Sequence, residues 1–126
     1  MDNSPRKRIL IVEDDPLVSD VVVQALQDSY DTASAETSAA AMERLRAGGI
    51  DVMLLDCTLP DGVDPQLLQM SDTAGVPVIL MSGDPAMIER VSTGAARPCI
   101  QKPFRLETLW ATLESVVRGE VGDSPP

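Results

Sequence analysis

The chain has 126 residues and a mass of 13.5 kDa, the size of one ordinary domain whose core needs no disulfide or structural metal. With 20 acidic and 10 basic residues its formal charge is −10, which argues against a nucleic-acid binder because such a surface would be basic. Histidine is absent, and this excludes His-ligated zinc, Ser-His-Asp or Cys-His catalysis, and a phosphohistidine carried by this chain.

Cysteine content and apolar runs indicate the cellular compartment of the protein. Cys57 and Cys99 are too few for a disulfide framework, and because both lie in apolar runs we expect buried thiols. Residues 1–7 form a polar, basic leader unlike a signal peptide, and no apolar run approaches the roughly 20 residues of a membrane span. The sequence therefore predicts a cytoplasmic protein with no membrane contact.

The first part of the chain indicates two strand–helix units. Residues 9–12 are an unbroken apolar run, typical of a strand buried on both faces. Asp15-Pro16 has the chemistry of a helix start, and apolar residues follow it at helical spacing. A weaker, more polar strand over 30–35 is expected at a sheet edge, and an alanine-rich helix over 38–47, capped by Thr37 or Ser38, comes after it.

Three more units are predicted in the rest of the chain. The strands cover 52–55, 76–81 and 99–101, and the helices that follow them cover 65–70, 84–93 and 106–117. The helix at 65–70 is expected to be short, Gly94 is expected to end the next one, and the last has the clearest periodicity.

The predicted order is a strand followed by a helix, five times over. Such alternation implies a parallel sheet with helices on both faces and right-handed crossovers. The expected domain covers residues 8–118, and the acidic, proline-ended tail 119–126 is expected to be disordered. In sheets of this kind, binding sites form at the carboxyl ends of the strands.

Polar side chains suited to phosphate or metal chemistry follow four of the predicted strands. Glu13 and Asp14 come directly after the first strand, Asp56 ends the third, Ser82 the fourth and Lys102 the fifth. Clustered carboxylates are stable only when paired or bound to a cation, and oxygen ligands without histidine suit Mg²⁺ or Mn²⁺. A carboxylate can also attack phosphorus to give an aspartyl phosphate, while an ammonium and a hydroxyl hold phosphoryl oxygens.

Each of these residues also has a simpler interpretation. Asp15, in the same acidic run, is better explained as a helix N-cap than as a ligand. Asp56 and Ser82 could be turn residues, and Lys102 could be an ordinary surface lysine. Lys102 is, however, one of only two lysines in the chain, and it stands between a strand and a proline.

Five short motifs, in order and at domain spacing, together resemble a known family. They are residues 9–12 with Glu13-Asp14, then Leu54-Leu55-Asp56, Leu59-Pro60-Asp61-Gly62, Met81-Ser82-Gly83 and Lys102-Pro103-Phe104. Over residues 8–118 the chain resembles the receiver domains of response regulators, the phospho-accepting half of two-component signalling. The resemblance implies a doubly wound, flavodoxin-like α/β fold of five parallel strands in the order 2-1-3-4-5.

The same resemblance implies an acceptor and a metal site. Asp56 is the expected phosphoryl acceptor. Mg²⁺ or Mn²⁺ is expected on Glu13, Asp14, Asp56 and the backbone carbonyl of Thr58, with Asp14 the more direct ligand of the acidic pair.

The remaining implied roles concern the phosphoryl group itself. Lys102 is expected to pair with phosphoryl oxygens and to precede a cis peptide bond to Pro103. Ser82 is the expected switch hydroxyl, which turns toward the phosphoryl group, and the small Gly83 beside it leaves access.

Three features depart from the family pattern. Cys99 stands where receivers usually have the aromatic partner of the switch hydroxyl, which puts the usual coupled rotation in doubt. The segment from Gly62 to Val76 is shorter and more polar than usual, so a truncated or irregular third helix is expected. Pro98, just before the fifth strand, restricts hydrogen bonding there and is tolerable near a sheet edge.

The leading hypothesis is a switch controlled by phosphorylation. A histidine kinase or histidine phosphotransfer protein is the expected donor to Asp56, and the helix 4–strand 5–helix 5 surface is the expected output. No output domain is expected in these 126 residues, so a stand-alone receiver, or one cut from a larger protein, is expected to act on a separate protein target. No nucleic-acid contact is expected, and the predicted state is a monomer or a weak dimer. Residues 9–43 contain no basic residue, so the first helix offers the donor an acidic or neutral face.

Two other classes of function are alternatives to this hypothesis. A phosphatase of the haloacid-dehalogenase type would share the Asp nucleophile, the lysine and Mg²⁺. Those enzymes usually carry a second Asp two residues after the nucleophile, where this chain has Thr58. A degenerate receiver that only binds proteins is disfavoured because every position of the predicted site is filled.

Overall fold

The computed structural model describes residues 6–92 and 97–119. The strands are β1 (Arg8–Val12), β2 (Asp31–Ala35), β3 (Val52–Asp56), β4 (Val78–Ser82) and β5 (Cys99–Gln101). The helices are α1 (Pro16–Leu26), α2 (Ser38–Ala47), α3 (Pro65–Ala74), α4 (Pro85–Ser92) and α5 (Leu106–Val117). Strand and helix alternate as predicted throughout the described residues.

The five strands form one parallel sheet in the order β2-β1-β3-β4-β5. This confirms the doubly wound, flavodoxin-like α/β fold and the edge position predicted for the second strand. Strand order reverses between β1 and β3, which pair in the middle of the sheet. Their carboxyl ends therefore lie side by side at the switch point where such sheets bind ligands.

The two faces of the sheet bury separate cores. In β1, Ile9 and Ile11 point to the face covered by α1 and α5, while Leu10 and Val12 point to the face covered by α2, α3 and α4. All four side chains are fully buried, and each contributes about 1.5–3 kcal/mol through removal from water. This two-sided burial explains the unbroken apolar run of the sequence.

Three helices begin with an aspartate followed by a proline. Asp15 Oδ1 accepts a hydrogen bond from Leu17 N at 2.9 Å, Asp64 Oδ1 from Gln66 N at 2.9 Å, and Asp84 Oδ1 from Ala86 N at 3.0 Å. Each aspartate satisfies a backbone N–H that the first helical turn leaves free. The N-cap interpretation of Asp15 agrees with this geometry. Of the two candidate caps of α2, Thr37 is the one that caps, with Oγ1 accepting from Ala40 N at 3.0 Å.

The expectation of a truncated or irregular third helix was wrong. α3 is a regular helix of 10 residues that ends at Gly75, whose φ of +72° is the left-handed conformation that glycine adopts readily. Ser71, one of the polar residues of this segment, is fully buried and its hydroxyl donates to Leu67 O at 3.0 Å. Its polarity is satisfied inside the helix, so it does not interrupt it.

Some boundaries differ from the predicted ones, and some predictions lie outside the described residues. β4 begins at Val78 rather than at residue 76 and ends with Ser82 inside the strand. The predicted end of the fourth helix at Gly94, residues 1–5 of the predicted leader and residues 120–126 of the predicted tail are not among the described residues. Within the described ranges, no helix has the length and apolar character that a membrane span requires.

Candidate functional site

The predicted site residues meet at the carboxyl ends of four neighbouring strands. Glu13 and Asp14 follow β1, Asp56 ends β3, Ser82 ends β4 and Lys102 follows β5. Because β1, β3, β4 and β5 are consecutive in the sheet, their ends form one continuous edge. Glu13, Asp56 and Ser82 are buried, whereas Asp14 is half-buried at the opening.

Lys102 bridges the two buried carboxylates. Its Nζ lies 2.8 Å from Glu13 Oε1 and 3.2 Å from Asp56 Oδ2. Burial alone would lower the pKa of this ammonium, but the hydrogen bond to Glu13 and the charge of Asp56 outweigh it and raise the pKa. Lys102 therefore stays charged and holds the two carboxylates together.

The two carboxyl groups respond differently to the same burial. Burial is the largest influence on Glu13 and raises its pKa, against the hydrogen bond from Lys102 and with the help of nearby Asp56. Burial would also raise the pKa of Asp56. The hydrogen bond that it shares with the Glu13 carboxyl group and two hydrogen bonds from Thr58 outweigh this and lower the pKa. Asp56 is thus held in the ionised form that a nucleophile needs.

The oxygen atoms of three carboxylates are close enough to share one cation. Glu13, Asp14 and Asp56 each offer an oxygen, and these atoms lie within 4.8 Å of one another. The donors are hard oxygens, the ligand type that Mg²⁺ and Mn²⁺ prefer, and one lysine offsets only part of their charge. The residues present therefore fit a divalent cation.

Thr58 makes a contact that the sequence did not predict. Its backbone N donates to Asp56 Oδ1 at 2.9 Å, and its own hydroxyl donates to the same oxygen at 2.8 Å. The resemblance implied a role for its backbone carbonyl, not for its side chain. A Thr two residues after an Asp has a local signal for this contact, since side chains so spaced often bond within one turn.

Ser82 is linked to the start of α4. Its Oγ accepts a hydrogen bond from Asp84 N at 3.0 Å, and Asp84 caps the helix. A Cβ added to Gly83 would lie 3.8 Å from Lys102 O, an ordinary contact, so the backbone there does not require glycine. The Lys102–Pro103 peptide bond is cis.

A buried serine anchors the loop that carries Thr58, and the sequence did not single it out. Ser38, considered only as a cap, donates from Oγ to Gly62 O at 3.2 Å and accepts from Asp64 N at 3.0 Å. These bonds tie the first turn of α2 to the segment between β3 and α3. The loop that follows Asp56 is therefore held at its far end.

The two thiols have different surroundings, and the expectation that both are buried was wrong. Cys57 is buried, and desolvation raises its pKa to about 11. Cys99 is exposed because β5 is a short edge strand on which only Ile100 faces the core. Pro98 is accommodated at this edge, where its carbonyl accepts from Leu80 N at 2.9 Å.

Comparisons with known proteins identify relatives that agree with this fold and with the acidic residues at the carboxyl edge of the sheet. The family model described as the response regulator receiver domain matches residues 9–114. The swarming motility regulation protein RssB of Serratia marcescens is 33% identical over 119 residues, 90% of this chain and 54% of that protein. The transcriptional regulatory protein TrcR of Mycobacterium tuberculosis is 31% identical over 93% of this chain and 47% of its own length. The chain spans about half the length of the curated relatives it matches.

Solved structures show the same architecture. The solution structure of SdrG from Sphingomonas melonis is 29% identical, with a TM-score of 0.74 over 90% of this chain and 98% of that one. The receiver domain of a sensor histidine kinase from Pseudomonas aeruginosa, described with magnesium in its active site cleft, has a TM-score of 0.79. It is 21% identical and covers 90% of this chain and 98% of that one, so it shows a likeness of fold.

Fold and acidic edge together define a doubly wound α/β signalling domain. The chain belongs to the family of response-regulator receiver domains. Receiver domains are signalling phospho-acceptors that bind Mg²⁺ at an acidic pocket and are phosphorylated by histidine kinases or phosphotransfer proteins.

Proposed function

We propose that this chain accepts a phosphoryl group on Asp56 in a two-component phosphorelay. The observation that carries the proposal is the position of Asp56, a buried carboxylate between the Lys102 ammonium and the Glu13–Asp14 pair. A purely structural ion pair needs no third carboxylate, and a third one is unfavourable without a cation. The arrangement suits a carboxylate that binds a metal ion and accepts a phosphoryl group at the same edge of the sheet.

The proposed transfer assigns each residue a task. Glu13, Asp14, Asp56 and the Thr58 carbonyl would hold Mg²⁺, which supplies positive charge against the phosphoryl oxygens during in-line transfer. An Asp56 oxygen attacks the phosphorus of a phosphohistidine, the O–P bond forms as the P–N bond breaks, and the imidazole leaves with the electron pair and takes up a proton. Lys102 exchanges its contact with Asp56 for a phosphoryl oxygen.

The donor is proposed to be a histidine kinase or a histidine phosphotransfer protein, because this chain has no histidine of its own. Leu17 and Val21 of α1 are 76% and 54% exposed. With Phe104 and Leu106 they line a groove that opens beside Lys102. Exposed apolar side chains so close to the acceptor suit a partner surface, and the donor histidine must come to this edge.

The proposed switch runs from Ser82 to α4. If the Ser82 hydroxyl turns to a phosphoryl oxygen, its bond with Asp84 N is lost, and Asp84 caps α4. The effect reaches the surface of α4, β5 and α5 without an aromatic partner at Cys99. That surface would contact a downstream protein target, with the chain a monomer or weak dimer that makes no direct nucleic-acid contact.

Intact mass after incubation with acetyl phosphate tests the proposal. The wild type should gain one phosphoryl group in Mg²⁺ and none in a chelator, and Asp56→Asn should gain none. Asp61→Asn removes an exposed carboxylate five residues further on and should behave as the wild type. Phosphorylation of Asp56→Asn, or none of the wild type, would refute the proposal.

A lysine pair tests the assigned contact of Lys102. Lys102→Gln should slow phosphorylation by at least about tenfold, because a charged hydrogen bond to the phosphoryl group is lost. Lys7→Gln removes the other lysine of the chain and should leave the rate unchanged. Equal rates for the two variants would remove Lys102 from the proposed mechanism.

A further inference from the structure

The two loops that carry the proposed metal ligands are both fastened to the segment where β2 ends and α2 begins. On one side, the backbone N of Glu13 donates to Ala35 O at 3.0 Å. On the other side, the Ser38 hydroxyl donates to Gly62 O at 3.2 Å, and its oxygen accepts from Asp64 N at 3.0 Å. Because Ala35 and Ser38 are close neighbours in the sequence, one short stretch of chain fixes the two loops relative to each other.

We propose that the Ser38 hydroxyl positions the loop between β3 and α3 for binding of the divalent cation. This inference rests on the proposed function, in which Glu13 and Asp14 hold the cation from one side and the Thr58 carbonyl from the other. The Ser38 hydroxyl contacts backbone groups of the loop rather than the carboxylates, so Ser38 is a positioning residue. Its effect falls on the affinity for the cation and not on the transfer of the phosphoryl group.

The anchor depends on a single buried side chain. Ser38 is 6% exposed, and its hydroxyl uses both its proton and its oxygen on backbone groups of the same loop. In an alanine variant, Gly62 O and Asp64 N would both lose this partner and would have to bind water instead. The loop would then exchange between the native arrangement and others in which water reaches these groups.

Other contacts restrain the same loop and limit the size of the effect. Cys57 N donates to Met81 O at 2.8 Å, and Leu59 is buried in the core. These two contacts keep the start of the loop in place without Ser38, but neither joins the loop to the Glu13 side of the site. If the released loop keeps the binding arrangement for about a third to a tenth of the time, the apparent Kd for the cation rises about three- to tenfold.

Binding of Mn²⁺ to the unphosphorylated protein tests the inference without a phosphoryl donor. The electron paramagnetic resonance signal of free Mn²⁺ gives the bound fraction and hence Kd. Ser38→Ala should raise Kd about three- to tenfold, and Ser38→Thr, which keeps the hydroxyl, should stay within about twofold of the wild type. Ser71→Ala is the matched control, because Ser71 is also buried but its hydroxyl donates within α3, to Leu67 O. This control loses a buried hydrogen bond as well, yet its Kd should equal that of the wild type.

The rate of phosphorylation by acetyl phosphate gives a second readout. In Ser38→Ala the Mg²⁺ concentration that gives half the maximal rate should rise by the same factor as Kd. The rate at saturating Mg²⁺ should stay within about twofold of the wild type, because the reacting groups are unchanged. A lower saturating rate with an unchanged Kd would overturn the inference.

The outcomes separate this inference from the proposed function. If Ser38→Ala binds Mn²⁺ as the wild type does, or if Ser71→Ala weakens binding equally, the inference alone fails. Weak binding by Ser38→Thr would also overturn it, because the hydroxyl would then not be the group responsible. If the wild type binds no Mn²⁺, the metal site and the inference fail together. If the wild type binds Mn²⁺ and Ser38→Ala binds it more weakly, but no phosphoryl group is taken up, the acceptor role fails and the inference stands.

Discussion

Once Glu13 is ionised as well, Asp56→Asn removes one negative charge from a place that holds two others, so we expect it to stabilise the metal-free protein. The lowered pKa of Asp56 does not oppose this, because it depends on a hydrogen bond that only a protonated Glu13 can donate. At an effective dielectric constant of about 20, unit charges 4.8 Å apart interact by about 3.5 kcal/mol. Because no two of these oxygens are further apart than 4.8 Å, repulsion from Glu13 and Asp14 together is then at least about 7 kcal/mol, and attraction to Lys102 at 3.2 Å offsets about 5 kcal/mol of it. The asparagine oxygen can still accept the hydrogen bonds from Thr58, so we expect a gain of about 1–3 kcal/mol in unfolding free energy.

Urea unfolding in the presence of a chelator measures this gain. With a urea dependence of about 1.5 kcal/mol per molar, the midpoint of Asp56→Asn should rise by about 0.7–2 M. Asp61→Asn, a change at an exposed carboxylate, should stay within about 0.5 kcal/mol of the wild type. Mg²⁺ should stabilise the wild type more than Asp56→Asn, which has lost a ligand.

A midpoint of Asp56→Asn equal to or below that of the wild type in chelator would contradict this expectation. Lys102 would then already neutralise the carboxylates, and the site would have no electrostatic need for a cation.

Three further predictions concern the thiols, the loop anchor and the donor surface. At pH 8 an aromatic disulfide reagent should modify one thiol quickly, and Cys99→Ser should abolish that phase while Cys57→Ser does not, because the raised pKa of about 11 keeps the buried thiol protonated. Ser38→Ala should lower the unfolding free energy by about 1–2 kcal/mol in urea, whereas Ser34→Ala, at an exposed position of β2, should change it by less than about 0.5 kcal/mol. Leu17→Gln should slow transfer from a phosphorylated histidine protein at least about fivefold while leaving transfer from acetyl phosphate unchanged, and slowing with both donors would contradict a docking role.

The fold was predictable where one physical cause dominates a segment. The apolar run at the start of the domain can be stable only as a strand covered on both faces, and β1 has that position. Asp-Pro pairs indicate helix starts because the carboxylate caps and the proline has no N–H to lose. Since parallel strands end at one edge, the positions of Glu13, Asp56 and Lys102 followed once the strands were placed.

The errors arose where a tertiary contact decided between local alternatives. The polar residues of α3 suggested a broken helix, but Ser71 satisfies its hydroxyl within the helix and packs in the core. Cys99 lies in an apolar run, yet its exposure depends on being at the sheet edge, which local sequence does not encode.

The hydrogen bonds of two hydroxyl groups were missed for a related reason. Ser38 reaches Gly62 and Asp64, more than 20 residues away in sequence, so no local pattern predicts it. The Thr58 hydroxyl bonds only two residues away, but its importance depends on Asp56 being the acceptor. In both cases the sequence shows the residue that carries the hydroxyl group but does not show the group to which that hydroxyl bonds.

The proposed function requires that Asp56 itself carries the phosphoryl group. Reduction of the phosphorylated protein with borohydride converts an aspartyl phosphate to homoserine, and peptide mass spectrometry then identifies the position. We expect homoserine at residue 56 and at no other carboxylate, with none formed when Mg²⁺ is chelated before the donor is added. Homoserine at another aspartate such as Asp14 or Asp61, or its counterpart at Glu13, would contradict it.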